Sequence, residues 1–122
     1  MDRVYRFRYG RLSFPLKVLG LGPAFTGMVV GEEYLKVRFS WAFATRIPRS
    51  AIHRVDYDYD FVGGIGVHGV RGTWLVNGAA NGLVMIEIDP AARAFVMGFP
   101  VRLKKLRVSA ADPAALIAAL TG

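Results

Sequence analysis

Gly64-Ile65-Gly66-Val67-His68-Gly69 spells G-x-G-x-x-G, the spacing of a loop that cradles a pyrophosphate. That chemistry needs a strand before the loop and a helix after it, whose first N–H groups face the phosphates. The next residues, Val70-Arg71-Gly72-Thr73-Trp74-Leu75-Val76, read as strand, so a glycine-rich loop or bulge is expected instead. Asp56-Tyr57-Asp58-Tyr59-Asp60 spells the opening of a calcium loop. Such a loop needs Gly at its sixth position and a bidentate Glu at its twelfth, where this chain has Phe61 and Val67. Strand alternation also spaces those carboxylates about 6.6 Å apart, too far to wrap one ion. A solvated acidic face is expected, able to pair with Arg54 or with arginines of a neighbouring strand. His53 and His68 are the only histidines and have no third nitrogen or thiolate to complete a metal set. His53 falls on an apolar strand face and reads as a hydrogen-bonded core histidine. Ser13, Ser40, Ser50 and Ser109 sit in no G-x-S-x-G elbow. Cysteine is absent, which removes thiol nucleophiles, thiolate metal sites and disulfides. No catalytic residue, metal or cofactor is therefore predicted, and the chain reads as a non-enzyme.

The basic residues are the positive feature. Twelve arginines and four lysines give a formal net charge of +7. Arg6 and Arg8 point outward from a first strand. Lys36 and Arg38 point outward from another, and Arg102, Lys104, Lys105 and Arg107 cluster near the end. If the strands adjoin, these eight form one cationic face. It would bind the phosphates of an anionic lipid or nucleic acid, and binding would weaken steeply with salt. The aromatics are expected mostly on the opposite, inward side, which argues against stacking on single-stranded bases.

The elements that would carry these residues are mostly strands. Tyr5, Phe7 and Tyr9 alternate with Arg6 and Arg8 over residues 3–9, and residues 12–19 form a weaker strand interrupted by Pro15. Residues 24–30 are apolar and strand-like, and Gly31-Glu32-Glu33 is a hairpin turn. Leu35, Val37 and Phe39 face inward on the clearest half-buried strand. Trp41, Phe43, Thr45 and Ile47 continue the alternation to Pro48. His53, Val55, Tyr57, Tyr59 and Phe61 share a face of the next strand. Residues 73–76 and 83–88 are strands bounded by turns at Asn77-Gly78 and Asn81-Gly82, and Asp89-Pro90-Ala91-Ala92 reads as a further turn. Residues 95–97 and 102–109 supply the last strands. Asp112 is then an N-cap with Pro113 at the first helical position, and Leu116, Ile117 and Leu120 make the helix's apolar stripe.

The 122 residues suit one domain, with no linker and no low-complexity tract. The start is charged, and the longest apolar stretch is broken by Lys17, Pro23 and glycines, so a cytoplasmic protein is expected. The hydrophobic fraction of 53% is high for a small basic domain and points to exposed apolar surface, hence to a homo-oligomer or protein-partner interface.

The order of elements resembles the bacterial pleckstrin-homology-like domains. The resemblance covers roughly residues 25–121. It rests on residues 35–39, on Ile47-Pro48-Arg49-Ser50-Ala51-Ile52-His53-Arg54-Val55, and on Leu106-Arg107-Val108-Ser109 followed by Asp112-Pro113 and residues 116–120. It implies an antiparallel barrel or sandwich of about seven to nine strands capped by a short helix. It also implies a binding or assembly module rather than an enzyme. Three functions follow as expectations: self-association or protein binding; docking on anionic lipid or nucleic acid through the basic face; or a small-ligand carrier whose interior is lined by Trp41, Phe43, Tyr57 and Trp74.

Overall fold

The computed structural model of the chain describes residues 3–9, 26–59 and 66–121. They form nine strands, a single 3-10 turn at Arg49–Ala51 and one α-helix: β1 Arg3–Tyr5, β2 Thr26–Val30, β3 Tyr34–Phe39, β4 Phe43–Pro48, β5 Ile52–Asp58, β6 Gly66–Val70, β7 Thr73–Asn77, β8 Leu83–Val96, β9 Phe99–Ser109 and α1 Pro113–Thr121. The expected strand over residues 12–19, the glycines at 63–64 and Phe61 lie outside the described residues.

The alternation of small runs fixes most of these elements. In β3, Leu35, Val37 and Phe39 are buried while Lys36 and Arg38 are exposed. In β4, Phe43, Thr45 and Ile47 are buried while Arg46 is exposed. One face of each strand thus leaves water, which is the main force assembling the sheet.

The strands pair in the order β1-β2-β3-β4-β8-β9-β7-β6, with β5 paired separately to β8. The long strands β8 and β9 make this possible. Leu83–Ile88 of β8 pairs with β5, and its last residues, Ala94 to Val96, pair with β4. A register shift against β9 between Glu87 and Ala92 bends the ribbon between these two halves. Each half turns its apolar side to a common core. Met28, Leu35, Phe39, Phe43 and Ile47 come from one half, and Val76, Val84, Ile86, Leu106 and Val108 from the other. Helix α1 packs on β5 and β8 and buries Leu116 and Leu120. Its N-cap is as expected: the Asp112 carboxylate accepts a hydrogen bond from the Ala115 N–H at 3.1 Å.

Several expectations are corrected. The nine strands form one sheet that does not close into a barrel. Two isolated bridges tie the continuation of β1 to the far strands, Phe7 to Ala110 just after β9 and Tyr9 to Gly78 just after β7, and the Arg8 N–H donates to Ser109 O at 2.8 Å. The sheet is not wholly antiparallel, because β7 and β9 run parallel. Residues 89–92 are not a turn; β8 runs through them, with Pro90 where the ladder is interrupted. The turn instead lies at Met97-Gly98, both with left-handed backbone (φ 50° and 83°). Trp41 leaves the core for the β3–β4 turn and is 52% exposed. His53 is also exposed, at a register irregularity, and its Nε2 lies 2.9 Å from Asp89 O. Gly66 and Gly69 sit in β6, a regular antiparallel strand, where a glycine-rich loop or bulge is expected from the sequence. No described helix is long and apolar enough to cross a membrane.

Candidate basic face

The outer surface of β2, β3, β4, β8 and β9 is where the cations gather. Strand alternation, not a loop, places them. With Leu35 and Val37 inward, Lys36 and Arg38 must face out; with Thr45 and Ile47 inward, so must Arg46. Lys36 lies directly opposite Arg46, and Arg93 directly opposite Arg102. The β4–β8 pairing joins the two pairs. Thr45 meets Ala94, and its hydroxyl donates to Arg93 O at 2.8 Å, which sets Arg46 and Arg93 side by side. The result is one row across four strands: Lys36, Arg46, Arg93, Arg102. At about 4.8 Å between strands it spans roughly 15 Å.

Like charges directly opposed on a sheet are destabilising. Nothing in the described surroundings neutralises this row. Glu32 and Glu33 belong to the β2–β3 turn, Asp56, Asp58 and Glu87 to the other half, Asp89 to the bend and Asp112 to the helix start. Lys36, Arg38, Arg46 and Arg93 border an open groove of about 610 Å³ whose floor includes Gly27, Val29 and Ala44. Phe95 forms its wall toward the end of the sheet, in the same cross-strand rung as Arg38 and Ala44. The Arg46 guanidinium carbon lies over the Tyr34 ring, 4.5 Å from its centre, a cation–π contact.

The eight predicted cations therefore do not form one face. Lys36, Arg38 and Arg102 converge here. Lys105 and Arg107 lie on the other half of the sheet and are paired: Lys105 with Glu87 at 3.8 Å, Arg107 with the buried Asp58 carboxylate. Arg8 reaches Asn81 Oδ1 at 3.5 Å and Ala111 O at 3.4 Å, packed over Gly82, so it ties the chain ends together. Arg6 stands beside the same junction, its carbonyl accepting the Ala111 N–H at 2.9 Å. Lys104 lies along the β6–β7 turn against Gly72.

Two residues of the row, Arg46 and Arg93, are absent from the sequence-based set. The alternation of β4 carries enough signal to find Arg46. Arg93 follows a segment that reads as a turn, so nothing local aligns it with the strand. Beyond the groove, the end of the sheet is apolar: Phe95, Met97 and Phe99 are 44%, 57% and 74% exposed. The proposed carrier interior is dispersed, with Phe43 in the core, Trp74 half-buried, and Trp41 and Tyr57 exposed. Among the described residues no group of three or more His, Asp or Glu gathers as a metal-ligand cluster.

Compared with protein-family models, with curated proteins and with solved structures, the chain finds no match.

Proposed function

We propose that the protein is a non-enzymatic docking module that binds a phosphate-rich polyanion through the outer face of β2, β3, β4, β8 and β9. The observation that carries this reading is the cross-strand row Lys36, Arg46, Arg93 and Arg102 with no described acidic residue beside it. A row of opposed like charges weakens a sheet, and a bound polyanion turns that repulsion into attraction. The open groove and its apolar floor accept an extended surface rather than a small enclosed substrate. The pleckstrin-homology-like resemblance, strands followed by one helix, supports a binding module and remains part of this proposal.

Inorganic polyphosphate is a suitable probe. The parent chain binds it at low salt, and log affinity falls linearly with log salt. The variant Lys36→Gln/Arg46→Gln/Arg93→Gln, changed only at exposed positions, loses most of that affinity, and the salt slope shrinks by about one per phosphate contact removed. Absence of binding at low salt, or equal binding by parent and variant, would overturn the reading. A second reading, self-association, draws on the exposed Phe95, Met97 and Phe99. Light scattering on the purified chain separates it from docking.

A further inference from the structure

Resting on the polyanion reading, we infer that the polyanion is an anionic lipid bilayer, entered by the apolar end of the sheet while the cation row meets the headgroup phosphates.

Met97 is the first observation. It occupies the first left-handed position of a two-residue hairpin turn, with φ 50°, followed by Gly98 at 83°. Such turns favour Asn-Gly, and a bulky residue there is conformationally costly. Met97 is also 57% exposed, so neither backbone preference nor core packing accounts for its side chain. Its neighbours are of the same kind. Phe99 is 74% exposed, and Phe95 lies opposite Pro100 on the outer face. The Met97 N–H donates to Ala42 O at 3.0 Å, which fixes this turn against the β3–β4 turn that carries Trp41. The tips of two hairpins thus make one apolar crest.

Spacing is the second observation. Arg93 lies two residues before Phe95 and four before Met97, so the row stands about 7 to 13 Å behind the crest at 3.3 Å per residue. Amphipathic helices lying on a bilayer bury their apolar face about 5–10 Å into the headgroup and acyl boundary, a depth the crest's side chains can match. With the crest at that depth, the cations reach the phosphate layer, where each interacts favourably with anionic lipid.

The arrangement fits other occupants less well. A single-stranded nucleic acid needs rings interleaved with the cations that track its backbone. Here the Tyr34 ring is taken up by Arg46, and Phe95 is the one described ring lining the groove; Met97 has no ring and Phe99 lies at the far end, beyond the row. A second copy docked crest to crest would bring two cationic faces together.

The experiment is sedimentation with phosphatidylcholine vesicles, with and without phosphatidylglycerol, run beside polyphosphate binding. The parent binds the anionic vesicles and much less the neutral ones. Met97→Asn and Phe99→Ser each reduce vesicle affinity by about tenfold, the loss expected for withdrawing one apolar side chain. Both variants keep parental polyphosphate affinity, which also shows that they fold. In a Trp74→Phe background, Trp41 emission shifts to the blue on anionic vesicles. Polyphosphate binding without vesicle binding, or vesicle binding untouched by both crest variants, overturns the bilayer and leaves the polyanion reading standing. Loss of polyphosphate binding by the parent removes that reading itself. Tighter binding to a single-stranded oligonucleotide than to anionic vesicles, or a dimer abolished by Met97→Asn, also overturns the bilayer.

Discussion

Gly69 faces Trp74 across the β6–β7 pair, and a Cβ there would run into the indole ring. The ring lies flat over the glycine and packs against the core. Gly69→Ala must push it aside, so a loss of about 1–3 kcal/mol is expected, read by chemical denaturation. Trp74→Leu in the same chain recovers part of it, because the two residues share one space. The Arg107–Asp58 pair behaves differently. Asp58 is 6% exposed at its side chain and Arg107 19%. Removing Arg107 takes this ion pair away from a buried carboxylate, so Arg107→Met lowers stability by about 3 kcal/mol and leaves polyphosphate affinity unchanged. Lys36→Gln does the reverse, since its cation faces water. Tyr9, stacked on Phe39 at 6.1 Å, gives a pH dependence. Burial raises its phenol above the ordinary 10.0, while a side-chain hydrogen bond with Thr26 pulls the other way. The folded value lies above that of the unfolded chain. The neutral phenol's contribution is therefore intact below about pH 10 and is lost as pH rises through the folded value. Denaturant midpoints across the alkaline range show this loss, and Tyr9→Phe removes that share of it. At this scale the sequence distinguishes the inward apolar residues of β3 from its outward cations by alternation alone. It says nothing of which outward cation meets an acid, because Arg107 and Asp58 are 49 positions apart.

At the scale of elements, turns decide what alternation cannot. The Met97-Gly98 turn joins the two longest strands, yet it carries no Asn-Gly signature. Met97→Asn relieves the left-handed strain, so a gain of up to about 1 kcal/mol is expected, read as a higher midpoint of thermal unfolding. The same substitution weakens vesicle binding if the crest enters a bilayer, which makes stability and docking move in opposite directions. The Asp89-Pro90 segment misleads in the other sense. Its residues have turn chemistry, but the chain needs only a break in register there, and a Pro is tolerated where a ladder is interrupted. The helix is the easiest element to read. Asp112, Pro113, Leu116 and Leu120 state its cap, its first position and its buried stripe within nine residues.

For the molecule as a whole, the elements are legible and their arrangement is not. Mostly strands with one terminal helix follows from local periodicity. The β4–β8 contact that brings Arg46 beside Arg93, and the parallel β7–β9 pair, join segments distant in the chain, and no local signal specifies them. The cation row is a product of that non-local pairing, and so is its effect on stability. Four cations in one rung repel, and salt screens part of the repulsion. Moderate salt therefore raises the unfolding temperature of the parent, and the Lys36→Gln/Arg46→Gln/Arg93→Gln variant is more stable at low salt and less responsive to added salt. Polyphosphate, binding only the folded chain, raises the parent's unfolding temperature with concentration. The variant shows little of that rise. Both responses come from one arrangement of charge, so they must vanish together. A variant that lost the salt response but kept the polyphosphate response would place the binding surface elsewhere on the molecule.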